Sequence, residues 1–162
     1  MNITKLAMAT MVSVALLAGA VPSHAADEVN VVAGLSIAGA PIAVHGYDPV
    51  AYFTQGKPVR GSDKLVHVYR GAAYRFSSEA HLDVFKQDPA RYAPQYGGFC
   101  AYGVAVGKKF DGDPTLWKID GGKLYLNLNE EIYQTFLKDV DGNVRKADRN
   151  WTEIEHTAVR DL

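Results

Sequence analysis

The 162-residue chain has one cysteine, Cys100, and it lies far behind a leader of the kind used for export. A lone thiol leaves no internal disulfide to hold the fold, so side-chain packing has to supply the stability. The leader begins with a positive charge at Lys5. It continues almost without polar residues from Leu6 to Ala20, breaks at Pro22, and ends in Ser23-His24-Ala25, with small residues at both specificity positions of a signal-peptidase site. This pattern predicts a signal peptide over residues 1–25, cleavage after Ala25, and a periplasmic or secreted product. No later run approaches the ~20 apolar residues of a membrane span, so the expectation for the mature form is no membrane anchor.

The roughly 135 residues beyond the cleavage point suffice for one domain. The formal net charge is −1 and no basic stripe is present, which argues against a nucleic-acid partner. All three methionines, Met1, Met8 and Met11, fall in the leader. A methionine-rich copper site is therefore excluded, and any soft-metal site has to rest on Cys100 and histidine.

Punctuation along the chain predicts an α+β domain: a small antiparallel sheet of hairpins packed with several short helices. Residues 26–42 read as a flexible leader with one short strand at Val29 to Ala33. Asp48-Pro49 signals a helix start. Leu65 to Tyr69 and Ala73 to Phe76 read as a hairpin, with Val66 and Val68 inward and His67 toward solvent. Ser77-Ser78 caps a helix from Glu79 to Gln87, and Asp88-Pro89 starts a short turn of helix. Cys100 to Val106 is compatible with a short helix or an extended segment. Asp120-Gly121-Gly122 marks a hairpin between Leu116–Ile119 and Lys123–Asn127. Asn129 caps a helix from Glu130 to Val140, closed by Gly142. A last helix spans Asn143 to Trp151, and residues 153–162 form a frayed tail that includes His156.

Three segments together resemble the YHS domain family. They are Gly46-Tyr47-Asp48-Pro49-Val50, then Tyr69-x-Gly-x-x-Tyr74-x-Phe76-Ser77-Ser78, then Phe85-x-x-Asp88-Pro89-x-x-Tyr92. Ala93-Pro94-Gln95-Tyr96-Gly97-Gly98-Phe99-Cys100-Ala101 is similar to the exported, single-domain branch of that family. Asp113-Pro114-x-x-Trp117-Lys118 and Lys123-Leu124-Tyr125-Leu126-Asn127 look like its C-terminal half. The resemblance places the domain at residues 43–152. It implies association with a metal, often copper, through cysteines. Those cysteine positions fall on Ala51, Ser77 and His81, so two have lost the ligand atom and one has exchanged thiolate for imidazole.

The residues themselves leave three readings open. One is a non-catalytic module that binds a transition metal or small ligand, with Cys100, His81, His45 and His67 as candidate donors to copper or zinc. An organic ligand would instead find its pocket among Tyr47, Tyr96, Gly97, Gly98, Tyr102 and Trp117. The second is a protein-interaction module, with a periplasmic protein partner, in which Cys100 is packed as a small hydrophobe. The third is a thiol-dependent enzyme using Cys100 as nucleophile. No Cys-x-x-Cys, His-Glu-x-x-His, Gly-x-Ser-x-Gly or phosphate-loop motif is present.

Overall fold

The computed structural model describes residues 28–162; the expected signal peptide lies outside them. The fold is α+β. Four strands form the main sheet in the order β1 (Val31–Leu35), β2 (Pro41–Ala43), β4 (Ala72–Phe76) and β3 (Ser62–Tyr69). β2 and β4 pair in parallel through Ile42 and Ala73, and the other neighbours are antiparallel. β5 (Asp113–Asp120) and β6 (Lys123–Asn127) form a separate hairpin. The helices are α1 (Ala51–Thr54), α2 (Glu79–Gln87), α3 (Pro89–Tyr92), α4 (Ala101–Ala105), α5 (Glu130–Leu137) and α6 (Val140–Ile154).

Local chemistry sets most boundaries. The Ser78 hydroxyl accepts the His81 N–H at 3.2 Å and opens α2, and the Asp88 carboxylate does the same for Arg91 ahead of Pro89 in α3. Asn129 caps α5 through the Ile132 N–H at 2.9 Å. Gly121 and Gly122 both have positive φ, as the two-residue hairpin turn requires.

Asp139 changes the end of that run. Its carboxylate accepts the Gly142 N–H at 2.9 Å, so Gly142 lies in the first turn of α6 and does not close α5. The helix expected up to Val140 stops at Leu137, and α6 continues through Ile154.

The chain builds two cores. The first gathers Val44, Val50, Tyr52, Tyr74, Phe76 and Phe85 with Leu124 and Leu126; the second gathers Tyr96, Phe99, Val104, Tyr125, Phe136 and Ile154. Strand β6 is their common wall. Alternation along it sends Leu124 and Leu126 into the first core and Tyr125 into the second. Phe85 is fully buried at the centre of the first core, with ring centroids 5.0 Å from both Tyr74 and Phe76.

Three expectations are corrected. The segment before residue 43 is not merely a leader: Val29 is buried and Val31–Leu35 pairs with β2. The faces of β3 are reversed, with His67 edge-on to Phe85 at 6.1 Å and Val68 exposed. Leu65 and Tyr69, the bulkier apolar residues, share the His67 side and fix the register. The tail is anchored, because the buried Lys109 ammonium donates to the Glu155 and Thr157 carbonyls at 2.8 Å each. Leu162 packs against the second core.

Two short left-handed runs frame the join between the cores. Val44, His45 and Gly46 have φ of 50°, 50° and 76°, and Tyr96, Gly97 and Gly98 have φ of 54°, 61° and 85°. At Gly97 the chain also passes directly against the Glu28 carbonyl, where a Cβ would overlap its oxygen. Gly97→Ala therefore combines backbone strain with a clash. It is expected to destabilise the fold by about 3 kcal/mol or more, read as a lowered midpoint in urea denaturation.

Candidate functional site

Asp48 is fully buried, and its carboxylate collects five donors. Oδ1 accepts the N–H groups of Val50 and Ala51 at 2.9 and 3.3 Å, holding the Asp48-Pro49 turn that leads into α1. Oδ2 accepts the Ser77 N–H at 2.8 Å, the Ser77 hydroxyl at 2.6 Å and His81 Nδ1 at 2.6 Å. Ser77 follows directly on β4, and His81 is in the first turn of α2, aimed back at Asp48 by the Ser78 cap. The other ring nitrogen, Nε2, lies 3.1 Å from the exposed Thr54 hydroxyl at the end of α1.

Ala51, Ser77 and His81 are the three positions where the family resemblance places cysteines. All three donate to Asp48. A carboxylate thus joins the segments that three thiolates would otherwise join through a metal ion. Ala51 has no donor side chain, and the Ser77 hydroxyl and His81 Nδ1 are already engaged. His81 Nε2 is the one metal-type nitrogen left there. One nitrogen does not satisfy the four-coordinate preference of zinc or the multiple soft donors suited to copper, so these residues do not fit the family's metal. Among the described residues, no group of three or more His, Cys, Asp and Glu side chains is placed to hold a metal ion.

The candidate donors read from the sequence go to separate surroundings. Cys100 is fully buried at the start of α4, where its sulfur accepts the Gly103 N–H at 3.3 Å and lies 3.8 Å from Asn127 Oδ1. Burial pushes its thiol up, against the lowering effect of backbone N–H groups. His45 meets Asp111 at 2.8 Å, and Asn30 donates to the same carboxylate oxygen at 2.6 Å. Burial pushes the Asp111 carboxyl up, but those hydrogen bonds and the His45 charge outweigh it and hold the group below the ordinary carboxylate range. His67 faces Phe85. His156, expected to be frayed, bonds Glu28 at 2.7 Å.

The aromatic candidates are also dispersed. Tyr47 lies under the Arg60 guanidinium at 4.3 Å, Trp117 stands edge-on to Tyr52 at 5.3 Å, and Tyr102 packs on the second core. Gly98 lies next to the Asn30 side chain, which donates to its carbonyl at 3.3 Å. Tyr96 and Gly97 do line a cavity of about 260 Å3 between the two cores. Tyr69, Arg70, Tyr74, Ala93, Asp148 and Trp151 complete most of its wall. None of these six is among the pocket candidates read from the sequence. Their one local signal is the density of aromatic residues between Tyr69 and Tyr96.

Asp48→Ala would leave five donors facing an apolar hole, and a loss of about 3–5 kcal/mol is expected in urea denaturation. Native Cys100 is expected to react with iodoacetamide at the rate of global unfolding, checked by mass spectrometry across a denaturant series; alkylation of the folded protein at a free-thiol rate would show otherwise.

Residues 50–96 match the sequence model of the YHS domain. No curated protein and no solved structure matches the chain. The matched segment holds α1, β3, β4, α2 and α3, including all three cysteine-equivalent positions, and ends at Tyr96 on the join between the cores. The similarity to the YHS domain thus covers residues 50–96, and the second helical core and the β5–β6 hairpin lie largely beyond it.

Proposed function

We propose that the protein is an exported, non-catalytic module that binds a small organic ligand in the cavity between its two cores. The observation that carries this reading is the cavity itself. Its walls come from both sides of the Tyr96 boundary: Tyr69, Tyr74 and Ala93 from the YHS segment, and Asp148 and Trp151 from α6. Its volume of about 260 Å3 is close to the lower end of the ~300–1,000 Å3 typical of small-molecule sites. The leader over residues 1–25 supports export, with the processed chain starting at Ala26.

Copper or zinc is the second reading, and one feature favours it. Asp48 orients His81 through Nδ1, as carboxylates orient metal-bound imidazoles, and leaves Nε2 at a partly exposed position. A metal held there needs further donors from another molecule.

A fragment library screened by 1H–15N correlation spectra on the processed chain tests both readings. The first expects shifts clustered on Tyr69, Tyr96 and Trp151. The metal reading expects Zn(II) or Cu(I) titration to perturb His81, with the response lost in His81→Ala. Fragments that never perturb the cavity residues would overturn the small-ligand reading.

A further inference from the structure

We propose that this cavity is built for a small alkylated ammonium cation, an inference that rests on the small-ligand reading above. Four aromatic side chains line it: Tyr69 and Tyr74, with ring centroids 6.3 Å apart, and Tyr96 and Trp151, 5.8 Å apart. Aromatic rings attract a cation through their quadrupole, and sets of them recognise quaternary ammonium groups that lack N–H donors.

The charge arrangement points the same way. Arg70 and Asp148 are the charged residues on the wall. The Arg70 guanidinium is already met by two carboxylates, Glu28 at 3.2 Å and Glu155, and is well compensated. Asp148 accepts the Tyr96 hydroxyl at 2.9 Å, a neutral partner, and forms no ion pair among the described residues. The wall therefore offers one uncompensated negative charge beside four rings. Lys109 lies 5.3 Å from the Trp151 ring but outside the lining, held by the Glu155 and Thr157 carbonyls.

Tyr74 adds a second, independent mark. Its ring is almost fully buried, at 2% exposure, and it lines the cavity with no hydrogen bond from its hydroxyl found among the described residues. The hydroxyl is not among the buried polar atoms sealed off without a partner, so a ligand can reach it from the cavity. A hydroxyl or carbonyl oxygen carried by the ligand would satisfy it. Burial pushes the Tyr74 and Tyr96 phenols up, so both stay neutral near pH 7.

Isothermal titration of the processed chain at constant ionic strength tests the proposal with three probes. They are choline, its neutral isostere 3,3-dimethylbutan-1-ol, and benzoate. Choline is expected to bind at least roughly tenfold more tightly than either of the others, and Asp148→Asn, which keeps an oxygen for the Tyr96 hydroxyl, is expected to erase most of that preference. Tyr74→Phe is expected to weaken choline while leaving the thermal midpoint unchanged. Equal or tighter binding of the isostere or benzoate would overturn the cation assignment and leave the small-ligand reading standing, as would choline binding unaffected in Asp148→Asn. If no probe binds while other fragments perturb Tyr69, Tyr96 and Trp151, the cation assignment alone fails. If no fragment does either, both fail.

Discussion

The carboxylate of Asp48 is the node that joins α1, β4 and α2. It has no solvent to stabilise its charge, and it receives five hydrogen bonds instead. These tie the start of α1, the residue after β4 and the first turn of α2 to one point. Each link is short-ranged, yet together they fix three segments separated by up to 33 positions along the chain. A metal ion would achieve the same convergence with thiolates. Here hydrogen bonds to a fixed anion bring the same segments together.

The second half of the chain depends on a different constraint, the two-sided burial of β6. Once Leu124 and Leu126 enter one core and Tyr125 the other, α4, α5 and α6 must close over the Tyr125 side. That closure also forms the second wall of the cavity. Tyr96, in its left-handed turn, and Trp151, on α6, face the space that Tyr69 and Tyr74 leave on the sheet side. Packing Gly97 against the Glu28 carbonyl brings the N-terminal segment onto the same join. Asn30 then reaches Gly97, Gly98 and Asp111.

Features decided within a few residues were legible in the sequence. The caps at Ser78, Asp88 and Asn129, and the Asp48-Pro49 helix start, depend on side chain-to-backbone bonds three residues long or less. The hairpin at Gly121-Gly122 is equally local. β3 carries apolar residues on both faces, so alternation could not say which side turned inward; contact with Phe85, far along the chain, made the choice. Asp139 competed with Gly142 for the same turn, and the capping bond won. The site was legible only in part. Ser77 and His81 stood out as replaced cysteines, but nothing local joined them to Asp48. Tyr96 and Gly97 stood out as pocket candidates, whereas Asp148 and Trp151 come from a helix whose inner face only tertiary packing reveals.

The shared wall at β6 also constrains how this fold can change over generations. Leu124, Tyr125, Leu126 and Asn127 are all buried, so a substitution that suits one core must be tolerated by the other at the same time. Neutral drift is thereby channelled away from this strand. It falls to solvent-facing positions such as Asp83 and Lys86 on α2, or Arg145 and Arg149 on α6, where new surfaces can be tried without disturbing the join.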